Sequence, residues 1–201
     1  MAADQKGAAE KRAWLVFFDE SGISLLPVTR RTWSPLGQDP DPAASLQLEA
    51  GLHGWCAWLP RQRPPRGPRL CFQVRKDSYD TVSLIEVLTQ LGAFYAGEQV
   101  VLLWDGLSAH WSHDMGAFID SQRDWLEVER LPGYAPELNP VEGLWANLKG
   151  VELANFAGDT VVQVADAAEQ GIHRVCDDQH LVWSFLGHTG LTLDYKHLSN
   201  L

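Results

Sequence analysis

An unbroken apolar run ends at an acidic residue in the stretch Gln99-Val100-Val101-Leu102-Leu103-Trp104-Asp105. A continuous apolar run of this length predicts a β-strand that is covered on both faces, as in the parallel sheet of an α/β protein. Asp105 and Gly106 then end the strand in a turn. The stretch therefore predicts a central strand with a carboxylate at its C-terminal end.

A second apolar run with the same ending lies near the N-terminus. Residues 14–18 are Trp-Leu-Val-Phe-Phe, and Asp19 follows directly. We predict a buried strand over 14–18, a turn over 19–22 and a further strand over Ile23–Val28. Ligand sites in α/β sheets gather at the carboxyl ends of strands. Asp19 and Asp105 are therefore candidates for one site, although each could simply open a turn.

The rest of the chain mixes strand and helix patterns, which predicts one α/β domain over residues 1–201. The strands are predicted at Arg69–Val74 and Trp125–Leu131, and the helices at Tyr79–Tyr95, Asp114–Gln122, Asn139–Val151 and Thr160–Val175.

Glu142 is a third candidate carboxylate, at the start of a predicted helix. Asn139 is placed to cap this helix, Pro140 takes the first helical position, and Glu142 falls at the third. The same spacing fits a capping box, in which the glutamate only closes the helix start. The residues alone leave both roles open.

Charge is distributed unevenly along the chain, whose net charge is −10. Residues 61–76 contain six basic residues, whereas residues 77–201 contain 19 acidic and five basic ones. Phosphate contacts need Lys and Arg, so we expect weak DNA binding by this chain alone. An acidic enzyme can still act on DNA if metal ions screen its carboxylates and another domain supplies affinity.

Composition also limits the location of the protein. No apolar run approaches the roughly 20 residues that cross a bilayer, and the polar N-terminus does not resemble a secretory signal. The three cysteines, Cys56, Cys71 and Cys176, show no zinc-binding spacing. We therefore predict reduced thiols in a cytoplasmic protein that has no membrane partner.

Three motifs surround the candidate carboxylates, and 36 residues separate Asp105 from Glu142. The motifs are Phe18–Gly22; Leu103–Gly106 with His110; and Leu131–Glu142 with Trp145 and Lys149. Together they resemble those of the insertion-sequence 630 family of bacterial transposases, which is related to the Tc1/mariner group, and the spacing is within that family's range. The resemblance extends over most of the chain, including Arg30–Trp33 and Ser184–Leu191.

This resemblance implies a ribonuclease-H-like fold, a mixed sheet flanked by helices. It implies that Asp19, Asp105 and Glu142 are a catalytic triad binding two Mg²⁺ ions, for which Mn²⁺ can substitute. Two such ions, roughly 4 Å apart, suit phosphodiester cleavage and strand transfer. The implied partners are transposon terminal inverted repeats, target DNA and a second copy of the chain. The implied location is the bacterial cytoplasm, at the nucleoid during transposition.

Other residues are weaker candidates for the site. His110, Asn139 and Lys149 are placed to lie near the substrate, although a structural histidine and an exposed helix lysine are the common alternatives. Glu20 is adjacent to Asp19 and on a strand would face the other way, so we predict a structural role for it.

The chain departs from the family at its N-terminus. The residues before Asp19 are too few for the family's helix-turn-helix modules, so we expect that domain to be absent and encoded separately. An inactive transposase remnant is the alternative function, and a ribonuclease-H-like nuclease without strand transfer is a third.

The second departure is the segment from about Asp41 to Pro68, where the resemblance vanishes. Residues 47–54 can be back-translated as CAA CTG GAA GCG GGC CTC CAT GGC. A shift of one base then gives Asn-Trp-Lys-Arg-Ala-Ser-Met-Ala, which is similar to a stretch in family members. We therefore predict an out-of-frame segment that is irregular and leaves the sheet beside Asp19 incomplete, with a genuine insertion as the alternative.

Overall fold

A five-stranded mixed sheet forms the centre of the part of the chain that the structure describes, with strand order β3-β2-β1-β4-β5. This computed structural model describes residues 13–24, 49–58, 69–75, 79–106, 108–132, 135–156, 158 and 160–190. The strands are β1 (Trp14–Ser24), β2 (Glu49–Trp58), β3 (Arg69–Arg75), β4 (Val100–Trp104) and β5 (Leu126–Arg130).

Helices and strands alternate from residue 81 onward, and the last three α-helices follow one another. Short side chains cap each α-helix at its start, where backbone N–H groups lack partners; the caps are Asp80, Ser112, Asn139, Thr160 and Asp178. The α-helices are α1 (Thr81–Phe94), α2 (His113–Ser121), α3 (Pro140–Gly150), α4 (Val161–Asp177) and α5 (Gln179–His188); two 3₁₀ helices are Ser108–Trp111 and Pro136–Leu138.

The helices cover the two faces of the sheet, and the alternation along β1 assigns its side chains to them. Leu15 and Phe17 pack with the helices α3, α4 and α5, while Trp14, Val16 and Phe18 pack with α1 and α2. The result is three layers, helix–sheet–helix, with buried apolar side chains between them. The predicted α/β class and the flanking helices are confirmed.

The first strand is longer than the sequence predicts, which is a correction. No turn interrupts it at 19–22, because β2 pairs antiparallel with β1 from Leu15 to Ser24. The parallel partner β4 pairs only with Trp14–Phe17. Asp19 therefore lies inside β1 but directly beyond its parallel pairing, and the predicted second strand is β1 itself as far as Ser24, with residues 25–28 outside the described part.

The prediction of an irregular segment over 41–68 is wrong for residues 49–58. These residues form β2, which pairs with β1 on one side and with β3 on the other. Strand pairing is made by the backbone, so it does not need alternating side chains, and the six prolines that argued against a strand all lie outside β2, at 40, 42, 60, 64, 65 and 68. The sheet beside Asp19 is complete, which counts against an out-of-frame segment.

The other predicted elements agree with the structure to within a few residues, and α5 was not predicted. Cys71 and Cys176 are free thiols, while the side chain of Cys56 lies outside the described part. None of the helices in the described ranges has the length and apolar character needed to span a bilayer.

Candidate active site

Two of the predicted carboxylates lie at the same edge of the sheet. The last residue pair in parallel register is Phe17 with Leu103. Asp19 is two positions beyond Phe17, and Asp105 is two positions beyond Leu103. Adjacent strands are about 4.8 Å apart, so the register places Asp19 and Asp105 at the same level, side by side at this edge of the sheet.

Helix α3 is attached to the strand beside Asp19 by two polar side chains. The indole Nε1 of Trp145 donates a hydrogen bond to Asp19 Oδ2 at 3.1 Å. The buried Asn139 donates through Nδ2 to the carbonyl of Phe18 at 3.4 Å and accepts from the backbone N of Val141 at 3.2 Å. Asn139 thus caps the helix and ties its start to the strand, which fixes where the helix presents its first turn.

Glu142 lies in that first turn with an exposed side chain. It does not close a capping box, because the backbone N of Asn139 donates to the carbonyl of Pro136 instead. Within the described residues its carboxylate accepts no hydrogen bond, yet its charge acts on Asp19. The capping-box role that the sequence left open for Glu142 is therefore not observed.

A third contact joins the same helix to the same strand. Lys149 Nζ donates to Ser21 Oγ at 2.7 Å. Ser21 is two positions beyond Asp19, so its side chain is on the same face of β1. Lys149 is therefore engaged with the protein, seven residues along α3 from Glu142.

The opposite face of the sheet, at the same edge, contains a buried histidine between two carboxylates. His110 is 1% exposed, and its Nε2 is 2.8 Å from Glu20 Oε1. Its Nδ1 is 2.8 Å from Asp105 Oδ1, a contact whose alignment is that of an ion pair rather than a hydrogen bond. The ring also stacks on Trp104, with centroids 3.8 Å apart. His110 thus links β1 to the end of β4.

The two sides of the edge differ in electrostatics. Burial is the largest of the causes that raise the pKa of the Asp19 carboxyl from 3.8 to about 8; the charges of Glu142, Glu20 and Asp105 act in the same direction, and the hydrogen bond from Trp145 opposes them. Burial lowers the pKa of His110, but Asp105 and Glu20 outweigh it and raise this pKa to about 9. The two shifts favour the imidazolium form of His110 and, when no cation is bound, the protonated form of Asp19.

The structure groups the ligating atoms differently from the predicted triad. Among the described residues, Glu20, Asp105 and His110 have ligand atoms within 4.8 Å of one another. Both ring nitrogens of His110 already face carboxylate oxygens, so this group is better explained as an internal ion-pair cluster. Asp105 belongs to this cluster and also acts on Asp19, which makes it the residue shared by both sides of the edge.

Comparison with known proteins identifies the family of this chain. The sequence profile of the DDE superfamily endonucleases matches residues 14–159, which include all three predicted triad positions. The chain belongs to this endonuclease family. The resemblance to the insertion-sequence 630 and Tc1/mariner transposases is consistent with that membership. Among curated proteins, no sequence matches this DDE family chain.

Solved structures of Mos1 transposase have the same fold. The Mos1 strand transfer complex matches with a TM-score of 0.64 at 18% identity, over 94% of this chain and 54% of that one. The Mos1 mariner paired end complex with Mn gives 0.65 at 18% identity, over 94% and 55%. The Mos1 catalytic domain gives 0.59 at 15% identity, over 94% and 81%. This DDE family chain thus spans about half the length of the Mos1 chains in the complexes.

Sequence reasoning did not find every residue of this DDE family site. The donor to Asp19, Trp145, was interpreted only as part of a motif, although its position three residues after Glu142 places both on one side of α3. Glu20 received a structural role without a partner. Its partner, His110, was considered as a neighbour of the substrate or as a structural histidine, and in neither role as a partner of Glu20.

Proposed function

We propose that this chain is the catalytic domain of a DNA transposase. In this proposal Asp19, Asp105 and Glu142 bind divalent cations, and the site first cleaves a transposon end and then joins the free 3′ end to target DNA. Membership of the DDE endonuclease family supports the assignment. The strand register that places Asp19 level with Asp105, and the charge of Glu142 acting on Asp19, support it as well.

The observation on which the proposal depends is the environment of Asp19. Its carboxyl is 7% exposed and is subject to three negative charges, and the hydrogen bond it accepts comes from the neutral indole of Trp145. Among the described residues no Lys or Arg forms an ion pair with it. A buried carboxyl in this setting is costly to ionise, and a bound divalent cation removes that cost.

The residues present fit such ions. Carboxylate oxygens are the ligands that Mg²⁺ prefers, and Mn²⁺ accepts the same set. Two divalent ions, when bound, supply activation of the attacking hydroxyl and stabilisation of the leaving oxygen. The Mos1 paired end complex is known with Mg and with Mn, which supports the same ions for this chain.

The protein's own contribution is to hold the carboxylates in position. Trp145 fixes Oδ2 of Asp19, and Asn139 fixes the turn of α3 on which Glu142 lies. His110 restrains Asp105 from the other face of the sheet. Side chains held in this way do not reorganise during the reaction, which is how a preorganised site lowers a barrier. We therefore assign His110, Asn139 and Lys149 to positioning the site.

The partners follow from the proposed reaction. Mos1 forms paired end and strand transfer complexes, so we propose transposon-end DNA, target DNA and a second copy of this chain as partners. The excess of acidic residues over 77–201 makes the DNA affinity of this region low, and a DNA-recognition domain or partner would supply the rest.

Nicking of supercoiled plasmid and joining of a 3′-hydroxyl oligonucleotide, each with Mg²⁺ or Mn²⁺, test the proposal without sequence recognition. Asp105→Asn and Glu142→Gln should lower both rates more than about a hundredfold, since loss of even an outer partner of a metal ligand costs 10–100-fold. Glu169→Gln, an exposed change on α4, is the matched control. Metal-dependent joining by Asp105→Asn at the wild-type rate would rule the assignment out.

A further inference from the structure

Trp111 is unusual among the tryptophans of the chain. It is 40% exposed, whereas every other tryptophan whose side chain the structure describes is buried or half-buried. Its position is nevertheless fixed, because Nε1 donates to the backbone carbonyl of Asp105 at 3.1 Å. An exposed aromatic ring held in place next to a catalytic carboxylate is a surface on which another ring can stack at little entropic cost.

Arg130 lies against this ring. It ends β5, where it is paired with Trp104 of β4, and its guanidinium carbon is 5.2 Å from the Trp111 ring centroid. Its Nη2 fills the space beside Gly106, since a Cβ built on that glycine would be 2.6 Å from it. The guanidinium therefore lies directly beside the residue that follows Asp105.

Arg130 also differs from the other cations whose side chains are described. Arg123 and Arg174 form ion pairs with Asp120 and Glu152, and Lys149 is bonded to Ser21. Within the described part of the chain no carboxylate forms an ion pair with Arg130, although the sheet edge beside it is acidic. The side chain is therefore available to an anionic group that reaches the site from outside.

We propose that Trp111 and Arg130 form a subsite for an unpaired nucleotide next to the scissile phosphate. The base stacks on the exposed indole, and the phosphate of that nucleotide binds the guanidinium. The inference rests on the proposed function and specifies where the DNA strand runs, from Asp105 toward β5. The base must be unpaired because bases within a duplex offer no free face. Glu129 and Asp114 are nearby in sequence and oppose a purely electrostatic site, so stacking is part of the recognition.

Photocrosslinking of the full chain tests the subsite and tolerates weak binding. The probe is a short duplex with a three-nucleotide single-stranded extension that contains 5-iodouracil, and peptide mass spectrometry locates the adduct. We expect the adduct on Trp111. Trp111→Ala should weaken binding of the extended duplex about tenfold, as stacking of one base on an aromatic side chain predicts, and should leave a blunt duplex unaffected.

Arg130→Gln should lower the slope of log affinity against log salt by about 0.7, the value for one single-strand phosphate contact. Phe94→Ala and Arg123→Gln are the matched controls, since Phe94 is an exposed aromatic at the end of α1 and Arg123 precedes β5. Adducts elsewhere, with both site variants equal to the controls while the chain still cleaves DNA, would refute the subsite alone. A chain that neither binds nor cleaves DNA would refute the proposed function and the subsite together.

Discussion

Asp19 and Glu20 are neighbours on one strand and lie in opposite environments. Asp19 faces α3, where it meets a neutral indole donor and the charges of other acids. Glu20 faces the other side of the sheet, where His110 supplies a cation within 2.8 Å. The fold therefore neutralises one carboxylate internally and leaves the other to a cation from solution. In general, a site for an exchangeable ion requires that no protein cation pairs with its carboxylates, as well as that the ligands are present.

The largest effect should come from changing each carboxylate to its amide. Asp19→Asn should reduce metal-dependent cleavage more than about a thousandfold, about 4 kcal/mol, because a ligand is lost. Glu20→Gln should reduce it less than about tenfold, because only a restraint on His110 is removed. Equal losses in plasmid nicking by the two variants would show that the two faces do not have the separate roles proposed here.

Asp19→Asn should also change how the stability of the protein depends on pH. The pKa of Asp19 is 3.8 when exposed and about 8 in the folded chain, so folding takes up a proton between these values. The stability of the metal-free protein therefore falls as pH rises from about 4 to 8. Asp19→Asn should flatten this fall and raise the melting temperature at pH 8 by a few degrees, roughly 2–4 °C per kcal/mol. Melting temperatures measured without metal between pH 4 and pH 8 test this prediction. An equal fall with pH in Asp19→Asn and in the wild type would contradict it.

Next in size is the loss of the internal cation. His110→Asn leaves Glu20, whose side chain is 13% exposed, without its cation. Breaking a largely buried pair costs about 3 kcal/mol, roughly 6–12 °C in melting temperature. The folded pKa of His110 is about 9 against 6.5 for a free histidine, so its contribution is complete below pH 6.5 and is lost as pH rises through 9. The variant and the wild type should therefore converge at pH 9.5 and differ most at pH 6.

The double variant His110→Asn with Glu20→Gln provides the control for this prediction. It removes the unpaired charge and should recover much of the lost stability. If the double variant is as unstable as the two single losses added together, the histidine contributes through packing on Trp104, and the ion pair is not what stabilises this face.

On the α3 face of the sheet, removing the indole that donates to Asp19 should have a smaller effect. Trp145→Phe keeps an aromatic ring but leaves Asp19 Oδ2 without its hydrogen bond, so Mn²⁺ binding should weaken about tenfold. Trp125→Phe is the matched control, because Trp125 also donates from Nε1 to a side chain, Gln122, but away from the carboxylates. Calorimetric titration with Mn²⁺ measures the difference, and equal affinities in both variants would remove Trp145 from the site.

The smallest effect is expected at the far end of α3. Lys149→Met should lower stability by less than about 1 kcal/mol, since only its partly buried contact with Ser21 is lost. Ser21→Ala should have a similar effect, and a double-mutant cycle should give a coupling of about 0.5–1 kcal/mol. A coupling near zero, with reduced strand transfer by Lys149→Met, would instead indicate that the lysine contacts DNA.

Sequence predicted the parts of this molecule that depend on local chemistry. The apolar run before Asp105 gave β4, and Asn139 with Pro140 gave the start of α3, because caps and buried strands are determined by neighbouring residues. The length of β1 was not predictable in this way. It depends on β2, whose pairing with β1 is a property of the fold as a whole.

The same distinction between local and long-range interactions applies to the site. The candidate carboxylates were visible as residues that follow apolar runs, and their family motif supported them. Their partners were not visible, since Trp145 meets Asp19 and His110 meets Glu20 across more than 80 positions of sequence. The prediction of an irregular segment at 41–68 was wrong for residues 49–58 for the same reason: composition describes a segment alone, whereas β2 is held by strands on both sides.

The pairing of β1 with β4 has a consequence for how the molecule assembles. Phe17 pairs with Leu103, 86 positions later, whereas β1, β2 and β3 follow one another along the chain. Contacts between distant positions form slowly because a long loop must close first. We expect the antiparallel meander to form early and the edge with the candidate carboxylates late. The mutually repelling acids would then meet only after the apolar layers are in place to hold them, so the chain would not have to overcome their repulsion while it is still searching for its fold.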